Sequence, residues 1–187
     1  MTDLTPITAL GGTAPRVLGA ARLTLSERPE LALASLALGR GAEPPAPEGL
    51  ALPGPGGLSV QGALAAFWTG PDQWMVEGAD LAETDFAARL QQAAPGAAVT
   101  EQTDGWACFE IAGEAAQIEA LAERLVNLPR DAYAPGRASR TALHHMGVFL
   151  LRRSPDRLAV WGMRSAAGSL WHALSDTMAR MEALHDS

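Results

Sequence analysis

His144 and His145 stand side by side, and a third histidine, His172, follows Ser165 by seven residues near the C-terminus. Adjacent side chains on a strand point to opposite faces, so the pair does not converge on one metal ion. No ligand-like spacing surrounds it. Seven residues of helix is about two turns, roughly 10 Å of rise, too far for Ser165 and His172 to form a nucleophile–base pair. Ser165 reads instead as a helix cap and His172 as a packed or interfacial side chain. Cys108 lies among Trp106, Phe109 and Ile111 with no positive group nearby in sequence, which describes a core thiol and not an activated one. Glu101 and Asp104 flank a turn, as paired acids do in some enzymes, but solvated turn carboxylates are the favoured account of them. Gly54, Gly56 and Gly57 match neither a dinucleotide-binding nor a phosphate-binding pattern and read as turn residues. No catalytic, cofactor-binding or metal-binding residue is therefore assigned.

Composition narrows the classes further. The chain has 187 residues and a formal net charge of −7, a surface that repels nucleic acid and anionic lipid. All 14 basic residues are arginine, which excludes Schiff-base lysine and phosphate-loop lysine chemistry. Arginine favours bidentate carboxylate pairs and interface ion pairs. One cysteine cannot form an internal disulfide. No apolar stretch approaches the roughly 20 residues of a membrane span. Met1-Thr2-Asp3-Leu4 lacks the basic start and apolar core of a signal peptide. The expected location is cytoplasmic.

The elements follow from pattern and punctuation. One domain over residues 1–187 is expected, with an N-terminal portion (1–60: arm, strands and a Pro/Gly-rich loop) and core lobes over 61–187. Residues 1 to about 15 read as a surface arm. Val17 to Leu25 and Leu31 to Leu38 suggest two strands around Glu27-Arg28-Pro29-Glu30, with a bulge near Ser35. Gly39 to Gly57 is too rich in proline and glycine for a helix or central strand and reads as an exposed docking loop. Trp74 to Glu77 is a strand. Asp80, with Glu83 three residues later, predicts the start of a helix carrying Ala82, Phe86 and Leu90, which Pro95-Gly96 ends. Trp106 to Ile111 is a strand with Phe109 and Ile111 on one side and Cys108 on the other. Gly113 opens a helix whose inner face is Ile118, Leu121, Ala122 and Leu125. His145 to Arg153 and Arg157 to Met163 pair across Ser154-Pro155-Asp156-Arg157, and the last helix carries Leu170, Leu174, Met178 and Met181. Such an order predicts an α+β fold of two mixed βαβ-type lobes with antiparallel sheets. Trp68, Trp74, Trp161 and Trp171 are anchors for a core or for a protein contact.

Three segments carry a resemblance: Val99 to Trp106 followed by Phe109-Glu110-Ile111-Ala112-Gly113; Gly136 to Thr141; and Arg164-Ser165-Ala166-Ala167-Gly168-Ser169-Leu170-Trp171-His172-Ala173-Leu174. Over about residues 67 to 182 the chain resembles the gamma subunit of heterotetrameric sarcosine oxidase. That family is similar in fold to the folate-binding module of aminomethyltransferases, the glycine-cleavage T-protein group. The resemblance implies a complex that oxidises sarcosine to glycine, passes the one-carbon unit to tetrahydrofolate and reduces oxygen to hydrogen peroxide. It implies alpha, beta and delta partner subunits. FAD, FMN, NAD and tetrahydrofolate would belong to the larger partners and zinc to the small one, with none in this chain. A non-catalytic organising subunit of an oxidoreductase is the leading expectation. A stand-alone folate-binding transferase-like protein and a regulatory small-molecule binder are the alternatives.

Overall fold

Strand alternation sorts the large apolar residues onto three surfaces, and the architecture follows from that sorting. A computed structural model describes residues 6–185, so the expectations for Met1 to Leu4 and for the start of the arm lie outside the described residues. In chain order come β1 (Val17–Ala20), β2 (Leu23–Glu27), β3 (Ala32–Ala37), β4 (Leu58–Gln61), β5 (Leu64–Gly70), β6 (Gln73–Gly78), α1 (Phe86–Ala93), β7 (Ala98–Glu101), β8 (Trp106–Gly113), α2 (Ala115–Leu125), β9 (Arg137–Leu143), β10 (Met146–Ser154), β11 (Arg157–Met163) and α3 (Ala167–His185). They form a six-stranded sheet in the order β1-β2-β8-β11-β10-β9 and a five-stranded sheet in the order β4-β5-β6-β3-β7. Neighbouring strands are antiparallel throughout. The protein is thus α+β with two antiparallel sheets, and β6–α1–β7 is a split βαβ unit whose two strands flank β3.

The layers are helix, sheet, sheet, helix. Phe109, Ile111, Val148, Leu150 and Val160 of the first sheet face Leu121 of α2 and Leu170, Leu174 and Met178 of α3. The alternate residues Cys108, Phe149, Leu151, Ala159 and Trp161 face inward and meet Leu33, Phe67 and Met75 of the second sheet. Leu36, Leu64, Ala66, Trp74 and Val76 cover the outer face of that sheet, under Phe86 and Leu90 of α1. Each large side chain buried this way contributes about 1.5–3 kcal/mol, so this limited set carries most of the stability in a core otherwise filled with alanine. The sheets are joined at one edge, where Gly57 bridges Arg137 and the Ala138 N–H donates to the Gly56 carbonyl at 3.0 Å.

Several boundaries differ from expectation, each for a local reason. Ala21 and Arg22 adopt positive φ (54° and 58°) and fold residues 17–27 into a hairpin, where one strand was expected. The turn at Glu27–Glu30 is no hairpin: β2 and β3 belong to different sheets, and the segment crosses between them. β3 keeps an unbroken register from Ala32 to Ala37 against β6, without the bulge foreseen at Ser35. The register shifts fall instead at Trp68/Gly70 and Arg152/Ser154. His144 and His145 are not on a strand. Their positive φ values (44° and 71°) make the two-residue turn of the β9–β10 hairpin, and both are exposed. Asp80 also has positive φ (57°) and starts no helix; the cap of α1 is Asp85, whose carboxylate accepts from the Ala88 N–H at 3.0 Å. Ser165 lies inside a 3-10 turn, Arg164–Ala166, that leads into α3. The short, largely exposed strands β4 and β7 and the half-exposed β9 had no apolar run to announce them. The 39–57 segment contains only a 3-10 turn, Pro47–Gly49, as its composition dictates.

The relocated cap is directly testable by chemical denaturation. Asp85→Ala is expected to lower stability by about 1 kcal/mol. Asp80→Asn, which tolerates the left-handed backbone, is expected to stay within about 0.5 kcal/mol of the parent.

Candidate functional site

On β6, β8, β10 and β11 the inward-facing series ends in charge. Glu77 follows Met75, Glu110 follows Cys108, Arg153 follows Leu151 and Arg157 precedes Ala159, so alternation delivers all four to the layer between the sheets. Glu77 is only 2% exposed and Glu110 6%. An isolated buried carboxylate is strongly disfavoured, so each must be paired. Arg153 holds Glu77 through two hydrogen bonds of 2.7 and 3.0 Å. The indole N–H of Trp161 donates to the same carboxylate. Glu110 is met by Arg28 at 2.6 Å, Arg157 at 2.8 Å and Arg153 at 3.3 Å. Arg28 also reaches Glu30, which balances three carboxylates with three guanidinium groups. Burial works against the charge on Arg153, but Glu77 and Glu110 outweigh it and raise its pKa. The same balance raises Arg28, with Glu30 and Glu110 as partners.

Beside this cluster the sheets part around a cavity of about 710 Å³. Its floor includes Cys108, Trp161 and Leu31, one wall is the Arg28–Glu30 crossover, and Asp80, Glu83 and Asp104 lie at its rim. The arm from Pro6 to Pro15 borders it. Glu27, 3% exposed, fixes that arm by accepting from the Leu10 and Arg16 amides at 3.0 and 3.3 Å. Arg164 adds a hydrogen bond to the Ile7 carbonyl at 3.0 Å.

The residues weighed from sequence are dispersed. Cys108 is buried in the floor, and burial, followed by the Glu77 charge, pushes its thiol well above the usual range, so it stays protonated and is a poor nucleophile. Glu101 and Asp104 are not a working pair. Glu101 turns its carboxylate onto the Ala87, Gln102 and Thr103 amides at 3.0–3.1 Å, anchoring the start of α1 to β7. Partial burial opposes its charge, but the Thr103 hydroxyl and these amides prevail and hold its pKa below the usual carboxylate range. Asp104 is at the cavity rim. His172 is exposed on α3. Among the described residues no three His, Cys, Asp or Glu side chains are grouped to hold a metal. No helix among them is long and apolar enough to cross a membrane. Of the tryptophans, Trp161, Trp74 and Trp171 are buried: Trp74 donates to the Pro53 carbonyl at 2.7 Å, and Trp171 packs edge-on against Phe109 at 5.7 Å. These three anchor the core. The ion cluster escaped sequence reading because its members are spread from Arg28 to Arg157; the one available signal was a charged residue continuing an apolar, inward-facing series.

No family model matches the chain, and no curated protein matches it in sequence. Among solved structures, the two-sheet fold is similar to a chain of the heterotetrameric sarcosine oxidase from Corynebacterium sp. U-96, solved in complex with pyrrole 2-carboxylate. The TM-score is 0.71 at 21% identity, over 89% of this chain and 88% of that one. It is also similar to the glycine cleavage system aminomethyltransferase T from Bartonella henselae, with a TM-score of 0.56 at 15% identity over 79% of this chain. That match spans 44% of the aminomethyltransferase, so this chain corresponds to less than half of it. At these identities the likeness is one of fold.

Removing one member of the cluster leaves another charge buried, so Glu77→Ala is expected to cost about 3–5 kcal/mol in denaturant unfolding. The pair Glu77→Leu with Arg153→Met is expected to cost less than Glu77→Ala alone. Because the folded pKa of Glu101 is depressed, its contribution is complete above the ordinary carboxylate value and lost as pH falls through the folded value. Stability of Glu101→Gln should accordingly fall less steeply than that of the parent below about pH 4.5.

Proposed function

We propose that this chain is a non-catalytic organising subunit, of the gamma type, in a heterotetrameric sarcosine oxidase complex. The observation that carries the reading is the coextensive fold match, 89% of this chain against 88% of a chain from such an oxidase. The site chemistry points the same way. The buried carboxylates are neutralised by arginines, the one thiol is held protonated, and no nucleophile–base pair is assembled among the described residues. In this reading the chain acts in the cytoplasm with alpha, beta and delta partners. The complex oxidises sarcosine to glycine, transfers the one-carbon unit to tetrahydrofolate and reduces oxygen to hydrogen peroxide. FAD, FMN, NAD and tetrahydrofolate reside on the partner subunits.

A second reading, a stand-alone folate-binding transferase-like protein, draws on the 710 Å³ cavity and the fold likeness to aminomethyltransferase T. One pair of measurements separates the two. Tagged chain recovered from its native cytosol is expected to bring down two large chains and one small one in a yellow complex. Calorimetric titration of the isolated chain with reduced folates is expected to show no binding. A colourless chain recovered alone that binds reduced folate reverses the choice.

A further inference from the structure

Away from the ion cluster, at the other end of the same strands, the inter-sheet layer opens a second time. Here β6 contributes Gln73 and Met75 where Glu77 lies at the charged end, β8 contributes Trp106 in place of Glu110, and β10 contributes Phe149 in place of Arg153. The cleft measures about 360 Å³. Its aromatic wall is fixed: Phe149 packs against Phe67 at 5.1 Å and Trp106 at 5.6 Å between ring centroids. The Arg140 guanidinium, from the strand residue paired with Phe149, lies 5.8 Å from the Phe149 ring centre.

We propose that this cleft binds a small planar organic anion, its ring against Trp106 and Phe149 and its carboxylate on Arg140. Arg140 is the telling group. Arg22, Arg28, Arg89, Arg130, Arg153, Arg157 and Arg180 each meet a carboxylate. Arg140 is among the arginines that meet none among the described residues, and it is the one that lines this cleft. A guanidinium presents five donors in a planar fork and no acceptor, and its natural complement is a carboxylate bound through two parallel hydrogen bonds. The Phe149 ring lies against that guanidinium at the cleft. Thr69 and Gln73 at the rim offer further polar groups without breaking the aromatic wall.

Size and shape select the ligand. The volume is near the lower end of the roughly 300–1,000 Å³ typical of small-molecule sites, which suits one or two fused rings. Phe149 is 5% exposed and recessed between the sheets, which favours a flat molecule that slides in over an acidic partner segment laid across the surface.

Calorimetry of the full chain with 2-naphthoate, compared with the neutral 2-naphthamide, tests the site. One-to-one binding of naphthoate is expected, with naphthamide weaker by about tenfold or more, the share of a charge-assisted hydrogen bond. Arg140→Gln should lose the same factor while its thermal midpoint stays at that of the parent, because the side chain is exposed; Arg140→Lys should lose less. Equal affinity for the amide, an unchanged Arg140→Gln, or no heat up to about 5 mM naphthoate would overturn the proposal. So would binding of a glutamate-rich peptide through Arg140 with naphthoate silent, which would assign the arginine to an acidic partner segment. The readout uses the isolated chain, so its failure leaves the subunit reading standing.

Discussion

Glu77 and Glu110 occupy a layer that every other constraint in the fold would fill with hydrocarbon. Each is within a few per cent of complete burial, and their charge is tolerable only because arginines from three separate segments converge on them. That convergence fixes the relation of the two sheets. Arg153 on the first sheet can hold Glu77 on the second through two bonds only at one separation and one angle. The crossover carrying Arg28 must then pass at the end of the layer. The arm follows, because Glu27 at the start of the crossover is what secures Leu10 and Arg16. Buried ion pairs add little net stability over apolar packing, but they penalise every misaligned arrangement of the same strands. Here that penalty acts on the sheet-to-sheet register.

A second consequence concerns what the interior can do. Charge concentrated at one end leaves the opposite end of the same layer to aromatic rings, so the two openings differ in kind. The larger one is bordered by carboxylates and an arm, the smaller by Trp106, Phe149 and a guanidinium. Trp106 borders both.

Legibility in the sequence tracked burial. The helices at Ile118–Leu125 and Leu170–Met181 and the strands at Trp106, Met146–Ser154 and Arg157–Met163 were readable because each buries one complete face. β4 and β7 were not, because each lies at the edge of its sheet with most side chains in water, and edge strands need no apolar series. Asp80 misled for a related reason: an acidic residue before an apolar run satisfies the cap pattern whether its backbone is extended or left-handed. The arginine content was visible, but which carboxylates it served was not, since Glu110 draws partners from residues 28, 153 and 157. Partners so far apart leave no trace in local spacing.

The placement of β2 and β3 bears on the order in which the chain can assemble. Both come from the first 37 residues, yet β2, already paired with β1, joins β8, and β3 joins β6 and β7, so that each enters a sheet built mostly from later segments. The hairpins β4–β5–β6 and β9–β10–β11 need only neighbours in sequence and can form as soon as they are made. The β1–β2 hairpin must wait for β8, and β3 for β6, and the loop that β2 closes onto β8 spans nearly half of the 187-residue chain. Closing such loops costs entropy before any contact is gained, which slows folding and prolongs the lifetime of unpaired strands. During synthesis β3 therefore finds its first partner only when β6 emerges, and the β1–β2 hairpin joins its sheet only when β8 does.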